Sequence, residues 1–256
     1  VTRALPAFAS PPSLQPAFDV VVDELVYQLK HCFSGLHSLY IAGSVARLEA
    51  LPGRSDLNVT MVVSKPLEVS EQAILTSITS RVESQYPQVT AINMTIILKR
   101  EVLDIAMIFK WGFWLKHCCT CVYGDDLSSR FGCFEPSWDI GKAMNDDLVD
   151  QLNDYRRKIM ATRVVSHYLG FCQEVAKKMI WSCYSLVFHR SGKLALSLEQ
   201  AAQQFLLYYP QHEVSIERLF LLDSGQQVPK KAVLFMINGF GQWIVSEFDK
   251  IERKIG

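Results

Sequence analysis

The sequence predicts an α+β fold: an N-terminal mixed sheet with helices packed on it, followed by an all-α C-terminal bundle. Three observations predict it. Up to residue 124, short β-rich runs alternate with helically spaced apolar ones. Pro136, Gly141 and a cluster of Asp and Asn then break the pattern between residues 135 and 147. Beyond that break only helical signals remain. The expected domains are therefore 1–140, built on the sheet, and 141–256, built of helices.

The first element is an amphipathic helix, with Phe18, Val21, Val22, Leu25 and Leu29 at helical spacing. "SLYIAG" is a short β-rich run that stops at Gly43-Ser44. "SDLNVTMVV" alternates Leu57, Val59 and Met61 with polar neighbours and closes on Val62 and Val63, as a partly buried strand does. "SEQAILTSITSRVESQY" begins with a serine and places Ile74, Leu75, Ile78 and Val82 on one helical face. "VTAINMTIIL", "EVLDIAMIF" and the shorter "CCTCVYG" are rich in β-branched and apolar residues, so three further strands are expected.

In the second half, residues 148–192 form one long helix or two, "SLEQAAQQFLLYY" another, and residues 230–254 the last. Glycines 192, 225, 239 and 241 mark stops or kinks. His167 and His189 lie on apolar helical stretches, where packing in a core or interface is the expected role. "YRRK", Tyr155 to Lys158, reads as a solvated helix face. Phe235, Phe240, Trp243 and Phe248 on the last helix would close the bundle or form a subunit interface, which leaves a homo-oligomer open.

Composition narrows the function classes. The chain has 26 basic and 26 acidic residues among 256, so no global field holds a polyanion; a nucleic-acid partner would need a local basic patch. Its apolar runs fall short of the roughly 20 residues that span a bilayer. The N-terminal stretch "VTRALPAFASPPSLQPAF" has one Arg, several prolines and no continuous apolar core, unlike a secretory signal. A cytoplasmic protein without a membrane partner is the expectation. The seven cysteines form none of the paired C-x-x-C knuckles of a structural zinc site and mostly sit in apolar company, as buried thiols do. "HCCTC", His117 to Cys121, is too compact to wrap a tetrahedral ion, and in an extended strand its residues would alternate between faces.

The chemistry-bearing stretch is "IAGSVARLEALPGRSDLNV", Ile41 to Val59. A Gly-Ser turn after a strand lets backbone amides approach a phosphate. Two acids separated by one residue on the next strand share a face and can hold divalent cations against phosphate oxygens. A third acid from a neighbouring strand would complete a two-metal site for nucleotidyl transfer. Here the pair is Asp56 and Asn58.

This signature resembles that of the DNA-polymerase-β-like nucleotidyltransferase superfamily, in particular its aminoglycoside adenylyltransferase type. Three further segments are similar in order: "AINMTII" to the family's third strand, "VYGDDL" to a strand-end element, and "SGKLALSLEQAAQQF" to a helical-domain element with Gly192, Ser197 and Ala201 in register. The resemblance implies transfer of an NMP from ATP or another NTP to a hydroxyl of a small-molecule acceptor, with Mg²⁺. It places Gly43, Ser44, Arg47 and Ser197 at the nucleotide, Asp56 at the metal, and Asp56, Asn58 and Asn93 at the catalytic positions. Arg47 would contact a phosphate or brace the turn.

Where the family has acids, this chain has Asn58 and Asn93, and Leu198 stands where a phosphate-binding lysine is expected. Asparagine can offer an oxygen to Mg²⁺ but can neither neutralise it nor act as a base near neutral pH. A unit charge pair about 4 Å apart is worth on the order of 4 kcal/mol at a surface-like dielectric, so two missing carboxylates remove more attraction than amide oxygens restore. The sequence thus predicts weak or lost catalysis. The alternative is a non-catalytic nucleotide-binding or protein-interaction module on the same fold.

Overall fold

In the computed structural model, which describes residues 4–255, the chain divides into two compact units, Leu5–Phe134 and the residues from Glu135 onward. Arg3, the basic residue of the N-terminal stretch, lies outside the described residues.

The first unit runs α1 (Pro16–Cys32), β1 (Leu36–Ala42), β2 (Leu57–Val63), α2 (Val69–Gln85) and β3 (Ile92–Leu98). A short helix α3 (Lys99–Val102), a 3₁₀ turn (Ile105–Met107), a π turn (Ile108–Gly112) and α4 (Phe113–Cys118) then lead into β4 (Cys119–Gly124). The sheet order is β3-β2-β1-β4, with β2 and β3 parallel and the other pairs antiparallel. The parallel pair follows from α2: a helix between two strands returns the chain to its starting edge, which a tight hairpin cannot do.

One face of this sheet is a closed apolar core. Phe18, Val21, Val22, Leu25 and Leu29 of α1 and Leu75, Ile78 and Val82 of α2 bury against Leu39, Ile41, Leu57, Val59, Met61 and Val63. Ile74, expected on that face of α2, is instead exposed, because it sits a further 100° or so around the helix from Leu75. The other face has a second cluster of Tyr40, Ala42, Val62, Ile97, Val102, Leu115, Cys119 and Leu127, with Trp111 and Trp114 packed on it.

"EVLDIAMIF" is not a strand. The Glu101 carboxylate accepts from the Leu98 amide and Asp104 from the Ala106 amide, so local caps turn the chain into successive helical segments. A short apolar run does not distinguish strand from helix by periodicity, and here the caps decide. His117 and Cys118 likewise end α4 and do not belong to β4.

The second unit is helical: α5 (Trp138–Ala143), α6 (Leu148–Ala161), α7 (Val165–Ser191), α8 (Leu198–Leu206), α9 (Glu213–Asp223), α10 (Lys230–Met236) and α11 (Gln242–Ile255), with a 3₁₀ turn at Pro210–His212 and a π turn at Ile237–Gly241. Residues 148–192 make two helices, parted at Thr162 to Val164, and α7 is the hub against which α5, α6, α8, α9 and α11 pack. Gly141 permits the approach of α5, since a Cβ there would stand 2.7 Å from the Ser185 carbonyl oxygen. Gly192 ends α7, Gly225 follows α9, and Gly239 and Gly241 lie in the π turn between α10 and α11.

Phe240 and Trp243 stack on each other and pack at a tilt against His212, and Phe248 packs on Trp138, so these rings close the bundle; Phe235 is exposed. His189 packs on Trp138, and burial lowers its pKa. His167, expected to be packed in, is exposed: it precedes Tyr168, which takes the buried position on α7. On α6, Arg157 and Lys158 both pair with Asp154.

Candidate functional site

The polar residues singled out on the sheet unit converge at one end of β2 and β3. Asp56 precedes β2; Asn58 shares its face two residues on and is directly paired with Asn93 across the parallel ladder. Their side chains form a ring. Asn58 Nδ2 donates to Asp56 Oδ1 at 3.2 Å, and Asn93 Nδ2 donates to Asp56 Oδ2 at 2.9 Å and to Asn58 Oδ1 at 3.0 Å. A carboxylate only accepts, so the groups facing Asp56 must be the amide nitrogens.

Gly43 ends β1 with φ of +78°, a conformation that favours glycine, and a Cβ there would stand 3.1 Å from Asn58 Nδ2. The turn after it is closed by backbone bonds from Arg47 N to Gly43 O and from Glu49 N to Ser44 O. Leu48 within it adopts φ of +61°, which for a non-glycine costs about 1–2 kcal/mol. Arg47 donates from Nε to Glu49 Oε2 at 2.8 Å, an ion pair within the turn.

Downstream, the loop is held by α1 and the β3 approach. Gln15 exchanges two hydrogen bonds with the Ala50 backbone, and Gly53 N donates to Gln88 O. Thr90 N and Leu57 N bond across to Ser55 O and Ala91 O. Asp56 is thus delivered to the ring by a pinned chain.

Gly43, Ser44, Arg47, Asp56, Asn58 and Asn93 all belong to the sheet unit, and the structure joins the last three directly. Ser197 belongs to the helical unit, where it caps α8: its Oγ accepts from the Gln200 amide at 3.3 Å. Thr60 and Trp114 were not singled out in the sequence. Trp114 Nε1 donates to Thr60 Oγ1 at 3.0 Å on the face that carries Asn58. The signal was present in the polar alternation Asp56, Asn58, Thr60; the tryptophan lies 54 residues further along the chain, with no motif to mark it. His117 is committed elsewhere, its Nδ1 bonded to Pro6 O at 2.7 Å and its Nε2 accepting from Phe134 N at 3.0 Å, so neither ring nitrogen is left for a cation.

The donor set of the ring does not fit Mg²⁺. Mg²⁺ takes oxygen ligands in a near-octahedral shell, usually with one or two carboxylates. Here both oxygens of the single carboxylate face N–H groups, and the Asn58 oxygen also accepts one. With the amides turned as they are, a cation at this point would meet amide hydrogens.

No family model matches the chain, and no curated protein matches it in sequence. A solved structure does: spectinomycin adenyltransferase AAD(9) from Enterococcus faecialis, determined with ATP and spectinomycin, superposes with a TM-score of 0.59 at 15% identity, covering 90% of this chain and 98% of that one. The likeness at that identity is one of fold: the chain has a nucleotidyltransferase-like fold, a four-stranded mixed sheet with helices followed by a helical region. Among the described residues no helix is long and apolar enough to cross a membrane.

Proposed function

We propose that this chain is a nucleotidyltransferase-fold protein in which metal-dependent transfer of a nucleotidyl group to a small molecule is weak or lost, and which keeps the fold as a binding scaffold. The ring of Asp56, Asn58 and Asn93 carries the reading. A fold says little about chemistry without its site, and this site has one carboxylate already engaged by two amides. Neither asparagine can take a proton from an attacking hydroxyl. A nucleotide and a hydroxylated small molecule, the ligand classes of the fold neighbour, are the ones to test on Gly43, Ser44 and Arg47 and on Ser197. A cytoplasmic setting belongs to the same proposal, in keeping with the buried thiols Cys119, Cys172 and Cys183.

Calorimetric titration of ATP with and without Mg²⁺ tests it. The unmodified chain should show no Mg²⁺-dependent binding, and the double variant Asn58→Asp/Asn93→Glu should gain it. Magnesium-dependent micromolar binding by the unmodified chain would overturn the reading. Absence of ATP binding even in the double variant would count against the nucleotide site itself.

A further inference from the structure

The ring has a property that a damaged metal site would not need: each of its three residues bonds to the other two. The two hydrogens on Asn93 Nδ2 are directed to different oxygens, one on Asp56 at 2.9 Å and one on Asn58 at 3.0 Å, and Asn58 Nδ2 returns to the remaining Asp56 oxygen at 3.2 Å. The negative charge is therefore solvated by fixed amide dipoles. The ring also ties together parts distant in the chain. Asn58 and Asn93 lie opposite each other on parallel strands, Asp56 ends the loop before β2, and Asn58 Nδ2 sits against Gly43 at the end of β1.

We propose that Asp56, Asn58 and Asn93 form a metal-independent brace across the sheet end, and that the two amide nitrogens alone keep it from being a divalent-cation site. Exchange of both for aspartate would put oxygen against oxygen at the present nitrogen-to-oxygen distances of 2.9 to 3.2 Å. Three carboxylates at that range repel unless a divalent cation sits among them. The brace presupposes the reading above that the present site is unfit for Mg²⁺. It adds that this unfitness stabilises the fold, and that stability would become cation-dependent once it is removed.

The test is thermal unfolding of the full chain without nucleotide, in EDTA and in millimolar Mg²⁺. The unmodified chain should have the same midpoint in both. Asn58→Asp/Asn93→Asp should melt lower in EDTA, by on the order of 5 °C, and Mg²⁺ should restore most of the loss. Asn58→Ala/Asn93→Ala, which breaks the ring without adding charge, should melt lower and not respond to Mg²⁺. If the double aspartate variant does not fold in EDTA, Asn58→Asp alone is melted under the same conditions, where a smaller fall reversed by Mg²⁺ is expected. A midpoint of the unmodified chain that rises with Mg²⁺ would overturn the proposal. So would aspartate variants as stable as the parent in EDTA or unmoved by Mg²⁺, or an alanine variant that gains the Mg²⁺ response. Because nucleotide is absent, these outcomes are separate from the ATP titration.

Discussion

Leu57 and Asn58 are neighbours in β2, yet they serve opposite faces of one sheet. Leu57 is fully buried with Val59 and Met61 under α1 and α2, in a face that is apolar from end to end. Asn58 points the other way, where the sheet is apolar toward Val62 and Ile97 but polar at the end that carries Asp56 and Asn93. The closed face secures the fold by area removed from water. The mixed face is therefore freer to change its chemistry without loss of the architecture.

This difference can be broken most severely from the closed side. Leu57→Ala should cost about 2–5 kcal/mol, because the cavity it leaves cannot collapse between two packed helices. Asn58→Ala, one residue away, should cost only about 0.5–1.5 kcal/mol, the range of lost hydrogen bonds at a partly solvated site. Urea denaturation of the two variants measures both, and equal losses would remove the distinction between the faces.

An intermediate effect is expected at the turn. Gly43→Ala must hold a Cβ at φ of +78° and 3.1 Å from Asn58 Nδ2, so it should lose about 1–2 kcal/mol and displace the Asn58 amide. Denaturation gives the loss, and the side-chain amide resonances of Asn58 and Asn93 should move together if the ring is coupled to the turn.

The smallest effect expected is one of pH, and it sharpens the contrast between buried and surface polar groups. His117 is fully buried and neutral, with Nδ1–H donating to Pro6 and Nε2 accepting from Phe134, and burial holds its pKa below the ordinary 6.5. The unfolded chain therefore binds this proton before the folded one does. The stability contributed is fully present above pH 6.5 and is lost as pH falls from there through the depressed folded value. Unfolding midpoints across that window should decline on acidification, and His117→Gln should flatten the decline.

Much of the architecture was legible without coordinates. The apolar spacing of α1, the alternation of β2 and the stop at Gly43 are local patterns, set by residues a few positions apart and by the 3.6 and 2 residue periods of helix and strand. Reading failed where several local solutions compete. "EVLDIAMIF" has the composition of a strand, but side-chain caps at Glu101 and Asp104 close it into helical turns. Ile74 and His167 each sit one residue from the buried position, within the margin by which a helical face can be misjudged.

The candidate site divides in the same way. The sequence by itself determined which side chains stand there: a glycine-serine turn, one carboxylate and two amides, and hence how much charge the site can carry. Only the tertiary structure decided what those groups do to one another. Asp56 and Asn93 are 37 residues apart and His117 is 111 from Pro6, and their hydrogen bonds depend on strand register and on the path of the N-terminal segment. A hydrogen bond holds only over a few tenths of an ångström and a restricted angle. Composition limits which groups can pair; the packed chain selects which of them do.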